Sequence, residues 1–133
     1  MQNKIIIPGK VDRLNHKKFR IRKDKDSEID ATIEILNNSG VDNSSYEVEK
    51  LSVDGLPEKM EDGAPIRWFN NFAIKKNGQY INQRYTVTIP GLSSSKSKVV
   101  IIDGKGNLYY YPGVVVNDTI ELTDGDPGTG QSP

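Results

Sequence analysis

Residues 17–23 read Lys-Lys-Phe-Arg-Ile-Arg-Lys, a period of two that sets Phe19 and Ile21 on one side and Lys18, Arg20 and Arg22 on the other. Successive side chains of an extended strand point to opposite faces, so this is a half-buried strand. Residues 28–35 alternate in the same way, with Ile29, Ala31, Ile33 and Ile35 on one side and Glu28, Asp30, Thr32 and Glu34 on the other. The short polar connection between the two runs predicts an antiparallel hairpin whose register follows from matching the apolar faces. Ile21 opposite Ile29 puts Arg20 across from Asp30 and Arg22 across from Glu28, an outer ladder of opposite charges.

Residues 46–53 predict a further strand, in which the change of apolar phase at Glu49-Lys50 suggests a bulge. Gly55-Leu56-Pro57 opens a polar stretch to Gly63 with room for one helical turn at most. Residues 66–74 carry Trp68, Phe69 and Phe72. Asn77-Gly78 then divides them from Tyr80-Ile81, the strongest hairpin signal in the chain. Residues 83–89 alternate with Tyr85, Val87 and Ile89 inward, and Pro90-Gly91 ends the run. Residues 93–98 are polar and give no reason for order, whereas 99–102 and 108–111 flank the hairpin loop Asp103-Gly-Lys-Gly-Asn107. Residues 119–123 close the set. The expected fold is all-β, an antiparallel sandwich of about eight to ten short strands, with a small barrel as the alternative. The expected organisation is one sandwich domain over 1–123 and a flexible Gly/Pro/Ser tail or linker over 124–133. Ile29, Ile33, Tyr85, Val87 and Ile89 are expected in the core, with Trp68 packed between the sheets.

Composition narrows the function classes. The chain has 133 residues, 35% of them apolar, with 12 Gly and 7 Pro, a turn-rich composition consistent with one folded domain. Lys+Arg and Asp+Glu are equal at 18 each, but they are segregated. Residues 1–25 hold nine basic and two acidic side chains, and residues 26–66 hold two basic and eleven acidic. A basic strand of Lys17, Lys18, Arg20, Arg22 and Lys23 could serve phosphates, yet the neighbouring acidic strand cancels its field and Phe19 faces inward. No nucleic-acid partner is expected. Ile5-Ile6-Ile7 before Pro8 is too short for a signal-peptide apolar region or a membrane span, so no membrane insertion is expected.

The acids at 24, 26, 28 and 30 fail as a calcium loop, because Ile29 stands where Gly is required and Ile35 where a bidentate Glu is required. His16 is the only imidazole and there is no Cys, while none of the serines lies in a Gly-x-Ser-x-Gly turn. No catalytic residue, metal site or cofactor is therefore expected, and the chain is not read as an enzyme. The residues able to present flat rings to a ligand are Trp68, Tyr80, Tyr85 and the run Tyr109, Tyr110 and Tyr111, where alternation turns Tyr110 away from its two neighbours; Trp68 and the run are singled out as the ligand-binding candidates.

The segments Gly106-Asn-Leu-Tyr-Tyr-Tyr-Pro112 and Asn117-Asp-Thr-Ile-Glu-Leu-Thr-Asp-Gly125 resemble the closing strands of immunoglobulin-like modules of bacterial cell-surface and secreted proteins. Tyr85-Thr-Val-Thr-Ile-Pro-Gly-Leu92 looks like a strand and turn from the same modules. The resemblance covers the C-terminal half. It implies an extracellular or cell-surface structural or adhesion module, a spacer or anchor whose partners are other domains of a parent chain or surface glycans and proteins. The alternatives are a carbohydrate-binding module, which needs coplanar exposed aromatics, and a phage or other assembly protein whose ends engage neighbours.

Overall fold

A computed structural model describes residues 10–23, 30–36, 44–81, 83–103, 105–122 and 128–132. Eleven strands run in chain order through these residues: β1 (Val11–Asn15), β2 (Lys18–Ile21), β3 (Ala31–Ile35), β4 (Tyr46–Lys50), β5 (Arg67–Lys76), β6 (Gln79–Tyr80), β7 (Tyr85–Thr88), β8 (Lys98–Ile102), β9 (Leu108–Tyr110), β10 (Thr119–Leu122) and β11 (Gly128–Ser132). They form two antiparallel sheets, β1-β2-β3-β7-β10 and β4-β5-β11-β8-β9, with β6 added to β5. The sheets do not close into a barrel. The architecture is a sandwich, as the spacing of short alternating runs predicts, and the barrel alternative falls.

The core is made by the inward phase of those alternations. Phe19, Ile21, Ile33, Tyr85, Val87 and Ile120 from one sheet meet Tyr46, Phe72, Ile74, Val99 and Ile101 from the other in one continuous cluster. Ile33 lies opposite both Phe19 and Val87 in adjacent strands, which makes the middle of the first sheet a row of large apolar side chains. Ile33, Tyr85, Val87 and Ile89 are buried as expected, while Ile29 lies outside the described residues. Phe72 and Tyr85 join the sheets edge to face at 5.2 Å. Asn77 and Gly78, with φ of 52° and 82°, make the tight β5–β6 turn whose backbone twist suits a two-residue hairpin.

Several expectations are corrected. The β2–β3 hairpin is antiparallel, but Ile21 pairs with Ala31 rather than Ile29, a slip of two residues. A two-residue slip keeps every side chain on its face, so periodicity alone does not discriminate between the registers. Arg20 still reaches Asp30 diagonally at 3.0 Å, whereas Arg22 turns to Asp12 on β1 at 3.2 Å; Glu28 lies outside the described residues. These exposed pairs each contribute about 0–1 kcal/mol. There is no bulge at Glu49-Lys50, because β4 keeps its register against β5 and Lys50 occupies a buried inward position. No helical turn follows Pro57; Lys59 bridges to Pro65 instead.

Trp68 is buried, but on the far side of the second sheet rather than between the sheets. With Ile66 and Val100 it forms a second small core, covered by Val53, Leu56 and Met60 from the preceding loop and by Leu108 and Tyr110. Its indole N–H donates to the Pro57 carbonyl, which pins that loop to the sheet. Residues 128–132, expected to be a loose tail, form β11 in the interior of the second sheet, paired antiparallel with β5 on one side and β8 on the other. A strand of two glycines and three polar residues carries no period-two apolar signal. What places it there is the unpaired main chain of its two neighbours.

The segment after β7, also expected to lack order, is held by a reciprocal clamp. Gly91, in the left-handed region with φ of 83°, and Ser93 donate their backbone N–H groups to the Asp118 carboxylate at 3.0 and 2.7 Å. The Asp118 N–H returns a bond to Ser93 Oγ at 2.7 Å. The N–H groups of Ser93 and Gly91 hold the Asp118 carboxyl below its usual pKa. A carboxyl whose folded pKa lies below its unfolded one adds stability above the unfolded pKa, about 3.9, and that stability is lost as pH falls through the folded value. Asp118→Asn should therefore lower stability at neutral pH and flatten its dependence below about pH 4. Urea midpoints measured from pH 2 to 7 would check this, and parallel curves for the two proteins would refute it.

Candidate functional site

The aromatic run on β9 is the best candidate for contact with another molecule, and its geometry follows from strand alternation. Leu108 and Tyr110 join the outer cluster with Trp68 and Val100, whereas Tyr109, opposite Ile101, takes the other face. The four ring-bearing residues singled out from the sequence therefore do not form one platform. Trp68 is sealed beneath the 51–66 loop with only 9% of its surface exposed. Tyr111 folds back over Gly113, where a Cβ would lie 2.3 Å from the Tyr111 hydroxyl, so only glycine permits that approach. The Tyr111 hydroxyl also accepts the Glu121 N–H at 3.3 Å, which ties the β9–β10 connection to the first sheet. Tyr109 is 41% exposed.

Tyr110 is the member with ligand-like surroundings. It lines two open grooves, one by the β8–β9 hairpin and one by the segment that follows β9. The larger, about 420 Å³, is bounded by Met60, Glu61 and Asp62 from the loop before β5 and by Asn107 and Leu108 from the β8–β9 hairpin. The smaller, about 250 Å³, runs past Ser95, Ser97, Lys98 and Tyr111. The Lys98 ammonium lies 5.2 Å from the centre of the Tyr110 ring, a cation–π contact that orients the ring. The larger groove thus sets a flat ring beside two carboxylates and an amide. Glu61, Asp62 and Asn107 were not legible as a group, because two loops more than forty residues apart meet only when Trp68 and Val100 pack.

The hairpin wall of that groove carries hydrogen bonds centred on Asp103. Asp103 accepts the backbone N–H groups of Lys105 and Asn107, each at 2.9 Å, and the Asn107 side-chain amide at 3.1 Å. The Asn107 N–H leads the contacts that hold the Asp103 carboxyl below its usual pKa. The carboxylate that looked like a turn residue in the sequence is the loop's internal cap.

The remaining candidate groups are accounted for by structural contacts. His16 is exposed on the β1–β2 turn, with its ring edge-on to Tyr46 at 5.7 Å. Arg20, Arg22 and Arg84 of the outer charged face are paired with Asp30, Asp12 and Glu121. Glu49 is shared between Lys75 at 3.2 Å and the Tyr80 hydroxyl at 2.7 Å, while Lys75 also sits over the Tyr80 ring. Among the described residues no cluster of three or more His, Cys, Asp or Glu is placed to hold a metal ion, and no helix is long and apolar enough to cross a membrane. No protein-family model, curated protein or solved structure matches the chain.

Proposed function

We propose that this chain is a non-catalytic structural and adhesion module, a spacer or anchoring domain of a larger bacterial surface protein that works outside the cell. The observation that carries this reading is the use made of its carboxylates. Asp30, Asp103 and Asp118 each accept main-chain N–H groups, from Lys23, from Lys105 and Asn107, and from Gly91 and Ser93. Acids spent on closing loops make a stiff body, which is what a spacer requires. The immunoglobulin-like resemblance of the C-terminal half adds the cell-surface setting, with other domains of the parent chain or surface glycans and proteins as partners.

The test has two arms. The purified chain, assayed on ester, peptide, glycoside and phosphoester substrates, should give no turnover that His16→Ala alters. Antibody raised against it should label intact source cells. A hydrolysis abolished by His16→Ala, or labelling that appears only after lysis, would overturn the reading.

The larger groove favours a second reading, carbohydrate binding. A tyrosine ring beside Glu61, Asp62 and Asn107 offers a stacking surface with hydrogen-bond acceptors for sugar hydroxyls. Under that reading a glycan array would give a hit that Tyr110→Ala loses and Tyr109→Ala keeps.

A further inference from the structure

We propose that the outer edge of β9 is a strand-addition site, and that its occupant is an extended basic segment of a partner protein, paired antiparallel with Leu108 and Tyr110 beside the larger groove. The inference stands apart from the spacer reading, and in this groove it sets a peptide in place of the sugar of the second reading.

Among the described residues β9 ends the second sheet and has β8 on one side only. Residues of an antiparallel strand turn their N–H and C=O groups to the two sides in alternation. The Tyr111 N–H donates to the Val99 carbonyl at 2.9 Å and the Asp103 N–H to the Asn107 carbonyl at 3.0 Å, so residues 107, 109 and 111 face β8. Leu108 and Tyr110 therefore hold their main-chain groups outward, two donor–acceptor pairs about 7 Å apart along one edge. None of these groups has a partner among the described residues. The edge of the first sheet at β10 is different. Thr119 exchanges both main-chain bonds with Val116, at 3.0 and 3.2 Å, and the Glu121 N–H goes to the Tyr111 hydroxyl. The 111–117 segment thus closes β10, while among the described residues nothing closes β9.

The kind of segment follows from the face beside this edge. Side chains directly opposed in an antiparallel pair share a face, so residues set opposite Leu108 and Tyr110 lie on the outer face, where Met60 packs in the same cluster. Met60, Leu108 and Tyr110 are the apolar lining of the groove there, and the exposed Glu61 and Asp62 its charged lining. No Lys or Arg lines it; Lys98, the cation at the Tyr110 ring, lines the smaller groove. Asp62 spends one carboxylate oxygen on the Ala64 N–H at 2.9 Å, and Glu61 has no ion pair among the described residues. Lysine or arginine at the two opposed positions lays its methylenes over Leu108 and Tyr110 and carries its charge to those carboxylates. The residue between them points to the opposite face beside Tyr109, where a β-branched apolar side chain suits the strand. The fitting segment is an extended run of basic, apolar and basic residues. Two outward donor–acceptor pairs at the strand repeat are what an added strand satisfies and a sugar does not require, and this favours the peptide.

A blocked peptide centred on Lys-Val-Lys and flanked by threonine and serine, titrated at low salt into the isotope-labelled chain, tests the site by amide NMR. The Leu108 and Tyr110 amides should move most and exchange more slowly with solvent, while Thr119 and Glu121 stay in place. Methylating the backbone nitrogens of both lysines removes the donors, keeps the charge and should abolish binding. Glu61→Lys, at an exposed loop position, should weaken binding by about tenfold, and a peptide centred on Glu-Val-Glu should bind the parent chain at least as weakly. An absence of shifts, shifts confined to other strands, or equal binding of the methylated peptide overturns strand addition. Equal binding of the Glu-Val-Glu peptide, or of the Lys-Val-Lys peptide to Glu61→Lys, overturns the basic segment. A sugar that moves the Leu108 and Tyr110 amides where the peptide does not returns the groove to carbohydrate.

Discussion

Phe72→Ala is expected to destabilise the domain by about 3–5 kcal/mol, the range for emptying a fully enclosed aromatic site. Phe72 has no exposed surface, sits mid-way in β5 and meets Tyr85 of the opposite sheet edge to face. Truncation removes transfer energy and leaves a void between two sheets that are each fixed by their own ladders and cannot close over it. The ring contact adds about 0.5–1.5 kcal/mol beyond the area buried. Against a total stability of about 5–15 kcal/mol for a domain, the variant should unfold at a much lower denaturant concentration. Val114→Ala, at a residue 77% exposed, should shift it by no more than about 0.5 kcal/mol. Urea titrations of the three proteins with equal slopes would check this, and a cost below about 1 kcal/mol for Phe72→Ala would show that the two sheets are not packed through this residue.

Gly130→Pro is the second large effect, and it separates an interior strand from a loose tail. Gly130 aligns with Trp68 on β5 and Val100 on β8, so a proline there faces a strand on each side. It removes a ladder donor, and the carbonyl left unpaired costs about 1–3 kcal/mol. Because β11 lies between β5 and β8 in its sheet, the loss extends to both edges it covers. A destabilisation of about 2–4 kcal/mol is expected in thermal and urea melts. Amide exchange should accelerate at Val99, Val100 and Ile101 while β2, β3 and β7 change less. Melts indistinguishable from those of the parent protein would return residues 128–132 to the status of a tail.

The chemistry of the candidate groove was only partly legible. Tyr110 stands out in the sequence as the tyrosine turned away from its neighbours, and alternation along β9 makes that a firm inference. Its companions Glu61, Asp62 and Asn107 do not stand out, because an exposed acid in a loop has the same local signature whether or not another loop lies beside it. Trp68 was drawn to the centre of the sandwich by the usual habit of a single tryptophan in such folds. Residues 51–66 instead supply enough apolar surface, through Val53, Leu56 and Met60, to bury it on the outside of the sheet.

By itself the sequence determined which face of each strand is apolar, where the Asn77-Gly78 turn falls and that the fold is built of strands. These are short-range consequences of side-chain period and backbone preference, and they survive any rearrangement that keeps parity. Tertiary structure decided what parity leaves open. The two-residue slip of β2 against β3 keeps Phe19 and Ile21 inward while exchanging their partners, and only the packing of both sheets selects one register. The place of β11 was likewise decided from outside the segment. Five residues without an apolar alternation carry no instruction to enter a sheet, and it is the N–H and C=O groups along β5 and β8 that pair with them.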